Sequence, residues 1–368
     1  MKPLLRTTVA ALMLTIAAGA GAYAATPKDT LVMAYVIDDI ITLDPAEIYE
    51  ISSSEYMANA YDHLVVLDVN DTSKILNRAA EKWSVSADGK TFTFKIRKGI
   101  KFQSGNDLTA EDAAFSLQRY VILDKNPAFI MNQFGLTKDN AKQMIRATDP
   151  NTLEVQLDAV YAPSFFLNCL TYTSSIVDKK LVMTHETNGD LGNAWLKTNY
   201  AGSGPFFLKE WKPNESLSLT TNQKYWGGVP KIKRVLIKNV TESATQQLLL
   251  EKGDVDIARN VTGDQLTALE KNKDVKFQAA AKATLWYLGL NQKNQYLAKP
   301  EVRKALKYLI DYDALANTLF KGVGKPHQSI LPEGQLGASS ANPYKFDVEK
   351  AKELLKQAGL TDGFSITM

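Results

Sequence analysis

Strand-like and helix-like segments alternate along most of this chain, and no other feature of the sequence restricts its fold as much. The stretch leading into Ile96–Arg119 shows the unit. Thr91–Ile96 alternates with Phe92, Phe94 and Ile96 on one face, the period of a half-buried strand. Gly105-Asn106 breaks that run. Thr109 then reads as an N-cap, and Asp112, three residues on, as the acidic partner of a capping box, opening a helix over Ala110–Val121. Upstream, Leu31–Val36 predicts a strand, Leu43-Asp44-Pro45 a turn or helix entry capped by Asp44, Ser52–Tyr61 a helix and His63–Leu67 a strand. Asp88-Gly89 predicts a hairpin turn after Trp83-Ser84-Val85, and Asp149-Pro150-Asn151 a turn before the strand Thr152–Leu157. Such alternation belongs to the α/β class.

The two ends carry different signals. Lys2 and Arg6 flank a short basic region, Val9–Ala18 is apolar apart from Thr15, and Ala22-Tyr23-Ala24 supplies the small-x-small pattern of a signal-peptidase site. Residues 1–24 are therefore expected to be a cleaved leader. The apolar run falls short of the roughly 20 residues a retained membrane anchor needs. Cys169 is the single cysteine, so no internal disulfide can form, and its apolar surroundings predict a small buried hydrophobe. Near the other end Asp347 is expected to cap a helix through Ala351, Leu354 and Leu355 that stops at Gly359. Phe364–Met368 then begins an alternating strand with no partner in sight, which leads us to expect a truncated chain.

Composition removes several function classes. The 43 basic and 40 acidic residues of the 368 are interleaved without basic runs, acidic tails or low-complexity blocks. A nucleic-acid partner is thus not expected, because it requires clustered Lys and Arg. The three histidines, His63, His185 and His327, are far apart and form no His-Glu-x-x-His pattern. Ser203 lies between glycines but lacks the Gly-x-Ser-x-Gly spacing of a nucleophile elbow, and its neighbours Gly202 and Gly204 suit a tight crossing of segments. Asp254 and Asp256 would share one face of a strand, yet between Val255 and Ile257 they read as a solvated strand edge before a carboxylate pair. No catalytic residue, metal site or cofactor is expected. Fifteen Tyr and five Trp leave ample aromatic surface for a binding cleft.

The order of motifs is more specific. After Ile96–Arg119 come Gly202–Trp211 with Asn222–Gly227, then Val235–Ile237, Ser243–Leu250 and Gly253–Ala258. Leu288–Asn291 with Pro300–Asp311 follows, and Asp347–Gly359 is last. In content and order this series resembles the family 5 extracellular solute-binding proteins, the peptide- and nickel-type receptors of ABC importers. The resemblance spans essentially everything after the leader. It implies a two-lobed, class II-like periplasmic-binding-protein fold, α/β, with an inserted accessory α/β domain. The expected division is lobe I at 25–63 and 198–287, the accessory domain at 64–197, and an incomplete lobe II at 288–368.

The same resemblance implies a monomeric periplasmic receptor that captures a small solute, foremost a di- or oligopeptide, and delivers it to an ABC permease and its ATPase. The family scaffold also hosts nickel chelates, opines and sugars, and a chaperone or signalling adaptor would use the same trap. Ligand contacts are expected from Tyr49, Glu50 and Ile51, from the aromatic Phe129 of the accessory domain, and from Trp286 and Tyr287 ahead of the crossing at Asn291. Read without the family, Tyr49–Ile51 suit equally a helix-entry loop packed on its own lobe, and Trp286 and Tyr287 suit hinge-region core.

Overall fold

A computed structural model describes residues 26–278, 284–335 and 337–367. The expected leader, residues 1–24, lies outside them. In chain order, strand β1 (Thr30–Tyr35) leads through a long loop to helix α1 (Ile51–Ala60). Next come β2 (Val65–Leu67), β3 (Ile75–Asn77), β4 (Ala80–Val85) and β5 (Thr91–Ile96), then α2 (Ala110–Leu123), α3 (Ala128–Asn132) and α4 (Ala141–Met144). β6 (Ile145–Asp149) and β7 (Thr152–Gln156) precede α5 (Pro163–Thr173), α6 (Lys179–Met183) and α7 (Asn193–Leu196). β8 (Phe206–Lys212), β9 (Ser216–Thr221), β10 (Arg234–Asn239), α8 (Ser243–Lys252), β11 (Ile257–Ala258) and α9 (Gly263–Leu269) form the next group. Helices α10 (Pro300–Tyr308), α11 (Tyr312–Asn317) and α12 (Val348–Gln357) close the series.

The alternation in the sequence becomes two main sheets. One has the order β11-β1-β10-β9-β8, with β1 parallel to both β10 and β11 and the other pairs antiparallel. Strand β1, lying between β11 and β10, thus pairs Thr30 with Arg234 and Met33 with Ile257, joining segments about 200 residues apart. The other sheet, β4-β5-β7-β6, is antiparallel throughout and is built wholly from residues between those segments. β2 and β3 pair as a separate hairpin.

Each sheet has its own core. On β5 the alternation of Phe92, Phe94 and Ile96 points those side chains inward against Leu117, Tyr120 and Val121 of α2 and Phe166 of α5, all buried. Complete burial of such a side chain contributes about 1.5–3 kcal/mol. Around the mixed sheet, Tyr35, Leu43, Ile48, Tyr56, Met57, Tyr61, Leu217 and Leu219 form a second core. α10 and α12 make a small separate one through Ala305, Ala351 and Leu354.

Local rules hold at several element ends. The Thr109 N–H donates to the Asp112 carboxylate at 2.9 Å, one arm of the capping box at α2. Asp347 accepts from the Lys350 N–H at 2.8 Å, and Gly359, at φ 72°, ends α12. Gly202 and Gly204 allow a close crossing, since a Cβ on Gly204 would lie 2.5 Å from the Ala60 carbonyl. Two expectations need correction. His63 makes only an isolated bridge to Ser175, so the strand there starts at Val65. Residues 364–367 form no ladder, because an alternating pattern becomes a strand only beside another strand, and Phe364 instead stacks on Tyr296 with centroids 5.1 Å apart.

Candidate functional site

The loop between β1 and α1 is held from below by a buried ion pair. Asp44 and Arg119 are 0% and 1% exposed, and the guanidinium meets the carboxylate through both terminal nitrogens at 2.9 and 2.7 Å. Asn193 adds a bond to Asp44 at 2.7 Å and one to Glu47 at 3.0 Å. Arg119 Nε donates to the Leu191 carbonyl at 2.9 Å, which Leu191 presents from a left-handed conformation at φ 50°. Asp44 does cap locally, accepting from the Ala46 N–H at 3.0 Å. Its main partners, however, lie on α2 and α7, so its larger role is to tie the loop to the segment between the two halves of the mixed sheet. A fully paired, fully hydrogen-bonded charge of this kind fixes geometry, since any other arrangement strands a charge away from water.

The next residues are presented outward from that anchor. Ile48 is buried, and its carbonyl accepts from the Tyr172 hydroxyl of α5 at 3.0 Å. Ser54 donates to the same Tyr172 oxygen at 3.2 Å and to the Glu50 carbonyl at 2.7 Å. Burial pushes the Tyr172 phenol up to about 12, so it acts as a neutral donor. Tyr49 is then 50% exposed and Ile51 62% exposed. The Tyr49 ring sets its edge against Phe129, itself 56% exposed at the start of α3, with centroids 5.7 Å apart and planes at 74°. Such edge-to-face pairs are favoured by the ring quadrupole. Glu50 turns its carboxylate back to the Tyr49 N–H at 3.2 Å.

Of the residues expected at the ligand, the structure thus brings together Tyr49 and Phe129, with Glu50 and Ile51 alongside. Trp286 and Tyr287 stand apart, 85% and 82% exposed, so they form no hinge core. Trp286 touches Phe320 edge-on at 5.3 Å. Asn291 spends its side chain on its own turn, accepting from the Lys293 N–H at 3.0 Å. Among the described residues no ring pair or hydrogen bond links these three to Tyr49 or Phe129.

Several side chains that could carry chemistry are committed to structural contacts. His63 is buried between the Thr171 carbonyl at 3.0 Å and the Ser175 hydroxyl at 3.1 Å, and burial pushes its pKa down to about 4. Ser203 donates to Asp62 at 2.9 Å, which also binds the Tyr225 hydroxyl and the Trp226 indole, each at 3.0 Å. Burial pushes the Cys169 thiol up to about 11, far from a reactive thiolate. Asp256 takes the Val32 N–H at 2.7 Å, so this carboxylate seals a strand edge. Among the described residues no His, Cys, Asp and Glu group has the geometry to hold a metal, and no helix is long and apolar enough to cross a membrane.

Sequence reasoning overlooked Arg119, Asn193 and Tyr172. Arg119 left one trace, as the single cation of α2, set among Phe115, Leu117 and Tyr120. A charge in that position must be paired. Asn193 and Tyr172 left none, because their partners at Asp44 and Ile48 lie more than 120 residues away.

Comparison with known proteins adds to this geometry. Residues 74–368 match the sequence profile of the family described as "Bacterial extracellular solute-binding proteins, family 5 Middle". A glutathione-binding protein, GsiB of Shigella flexneri, is 31% identical over 342 residues, 93% of this chain and 63% of that protein. A probable D,D-dipeptide-binding periplasmic protein of Escherichia coli, DdpA, is 32% identical over 335 residues, 90% of this chain and 63% of the relative. The chain therefore spans under two thirds of the length of these relatives. Among solved structures, the periplasmic binding protein DppA of Helicobacter pylori, associated with an ABC transporter and in complex with the peptide STSA, superposes with a TM-score of 0.78. It is 28% identical, over 91% of this chain and 67% of DppA.

Proposed function

Because this chain belongs to family 5 of the bacterial extracellular solute-binding proteins, we propose that it captures a short peptide and hands it to an ABC permease with its ATPase. The observation that carries the reading is the exposed Tyr49–Phe129 pair, held at fixed geometry by the buried Asp44–Arg119 pair and by Tyr172. Aromatic surface of this size, left open yet rigidly supported, suits ligand contact better than packing. Relatives that bind glutathione, a D,D-dipeptide or the tetrapeptide STSA support a peptide as the solute.

In this reading Tyr49, Glu50, Ile51 and Phe129 line one wall, and Trp286, Tyr287 and Asn291 approach when the lobes close in the manner of hinged binding proteins. Lobe I comprises 25–63 and 198–287, which supply all five strands of the mixed sheet. The accessory domain is 64–197 and the second lobe begins at 288. The protein acts as a monomer, without catalysis, in the periplasm after cleavage behind Ala24. Calorimetric titration of the purified chain with glutathione, STSA and D-Ala-D-Ala tests the capture. Saturable binding of at least one is the expected result. Binding of none, together with binding of a nickel chelate, an opine or a sugar, overturns the peptide assignment. N-terminal sequencing of the protein in an osmotic-shock fraction tests export, with Ala25 expected first.

A further inference from the structure

In open α/β sheets, ligands sit beyond the carboxyl ends of the parallel strands. Here β1, β10 and β11 run parallel and end at Tyr35, Asn239 and Ala258. The first turn of α1 folds over the same end, where the Ser52 hydroxyl donates to the Val36 carbonyl at 3.2 Å. Tyr49–Ile51 therefore open onto this edge. Arg259, the residue after β11, stands there too. Its guanidinium carbon lies 4.4 Å from the centroid of the Tyr35 ring, and its Nη1 pairs with Glu55 of α1. The two side chains keep 20% and 39% of their surface exposed.

The backbone beneath Arg259 is held unusually firmly. Gln246 of α8 is 0% exposed, and its carbonyl oxygen accepts from the Arg259 and Asn260 N–H groups at 3.1 and 3.0 Å. The Gln246 amide donates in turn to the Val240 carbonyl at 2.6 Å, while the Asn260 side chain accepts from the Val36 N–H at 3.1 Å. One buried amide thus fixes the exits of β10 and β11, and Asn260 that of β1.

We propose that Arg259 is a specificity-determining residue, holding a carboxylate of the bound solute at the carboxyl end of the parallel strands. The inference rests on the solute-capture reading above. A guanidinium offers five donors in a planar fork, and the Glu55 contact engages Nη1, leaving the Nε and Nη2 donors to address a second carboxylate. Stacking on Tyr35 holds the plane of the fork and lowers its contact with water. Glu55 then has two effects: it orients the guanidinium, and it competes with the solute for it. A free peptide terminus is a carboxylate of the required chemistry, whereas the corresponding amide is not.

The test compares STSA and D-Ala-D-Ala with their C-terminal amides on the purified full chain and on Arg259→Gln, Arg259→Lys and Glu55→Gln. Loss of a charge-assisted bond to a desolvated carboxylate corresponds to about 10- to 100-fold in affinity. Arg259→Gln is expected to weaken the acids by that factor and the amides by less than about threefold, Arg259→Lys to recover part of the loss, and Glu55→Gln to raise the acid-to-amide preference. A parent chain that binds the acids while Arg259→Gln weakens acids and amides alike, or neither, overturns the role of Arg259 and leaves peptide capture standing. A parent chain that binds no acid, no amide and no glutathione overturns both. If Arg259→Gln does not fold, Glu55→Gln decides the matter: an unchanged preference there overturns the proposal.

Discussion

Replacing Arg119 with Met isolates the energetic meaning of the buried pair beneath the loop between β1 and α1. The variant keeps side-chain volume and helix propensity but leaves Asp44, 0% exposed, without its guanidinium. Removing one partner of a buried ion pair costs about 3–5 kcal/mol, because the other charge remains desolvated. Asp44 retains its bonds from Ala46 and Asn193, which places the expected loss near the lower end, about 3 kcal/mol. Against a total stability of roughly 5–15 kcal/mol for a domain, that is a large fraction. Urea unfolding followed by tryptophan fluorescence reads the change as a lower midpoint. Amide exchange at residues 43–48 reads whether the loop loosens first. In Asp44→Asn/Arg119→Met the stranded charge is gone, so part of the loss should return. A single variant losing less than about 1 kcal/mol, or a double variant no better than the single, would refute the argument that pairing of the buried charge holds this loop.

Other outcomes follow from the same contacts. Tyr49→Ala should weaken peptide binding by about 1–3 kcal/mol in calorimetry while leaving the thermal midpoint of the free protein nearly unchanged; unaltered affinity removes Tyr49 from the site. His63 is neutral in the fold down to about pH 4 but takes up a proton near 6.5 when unfolded, so its contribution is full above pH 6.5 and lost as pH falls towards 4. The loss reaches about 3 kcal/mol, and a His63→Gln variant whose stability falls as steeply over that range as the parent's would contradict it. Gly204→Ala would place a Cβ 2.5 Å from the Ala60 backbone and should cost about 1–3 kcal/mol in denaturant unfolding, since backbone cannot move aside as a side chain can.

Much was legible in the sequence because it depends on neighbours in the chain. Period-two alternation put Phe92, Phe94 and Ile96 in a core, Thr109 with Asp112 and Asp347 capped the starts of two helices, and Gly359 ended one. The order of such segments was enough to indicate the family. Tertiary structure alone decided the rest. The pairing of β1 with β10 and β11 depends on segments about 200 residues away, so no local pattern announces it. Asp44 reads as a simple cap until Arg119 and Asn193 arrive from other elements, and Tyr172 is an ordinary helix residue until it reaches the Ile48 carbonyl. Arg259 looks like one basic residue among 43. Only the buried Gln246, the Tyr35 ring and Glu55 place its guanidinium at the edge where Tyr49 opens outward. Local propensity sets which residues form strands and helices, whereas the free energy of pairing buried charges and strand edges sets which of them meet.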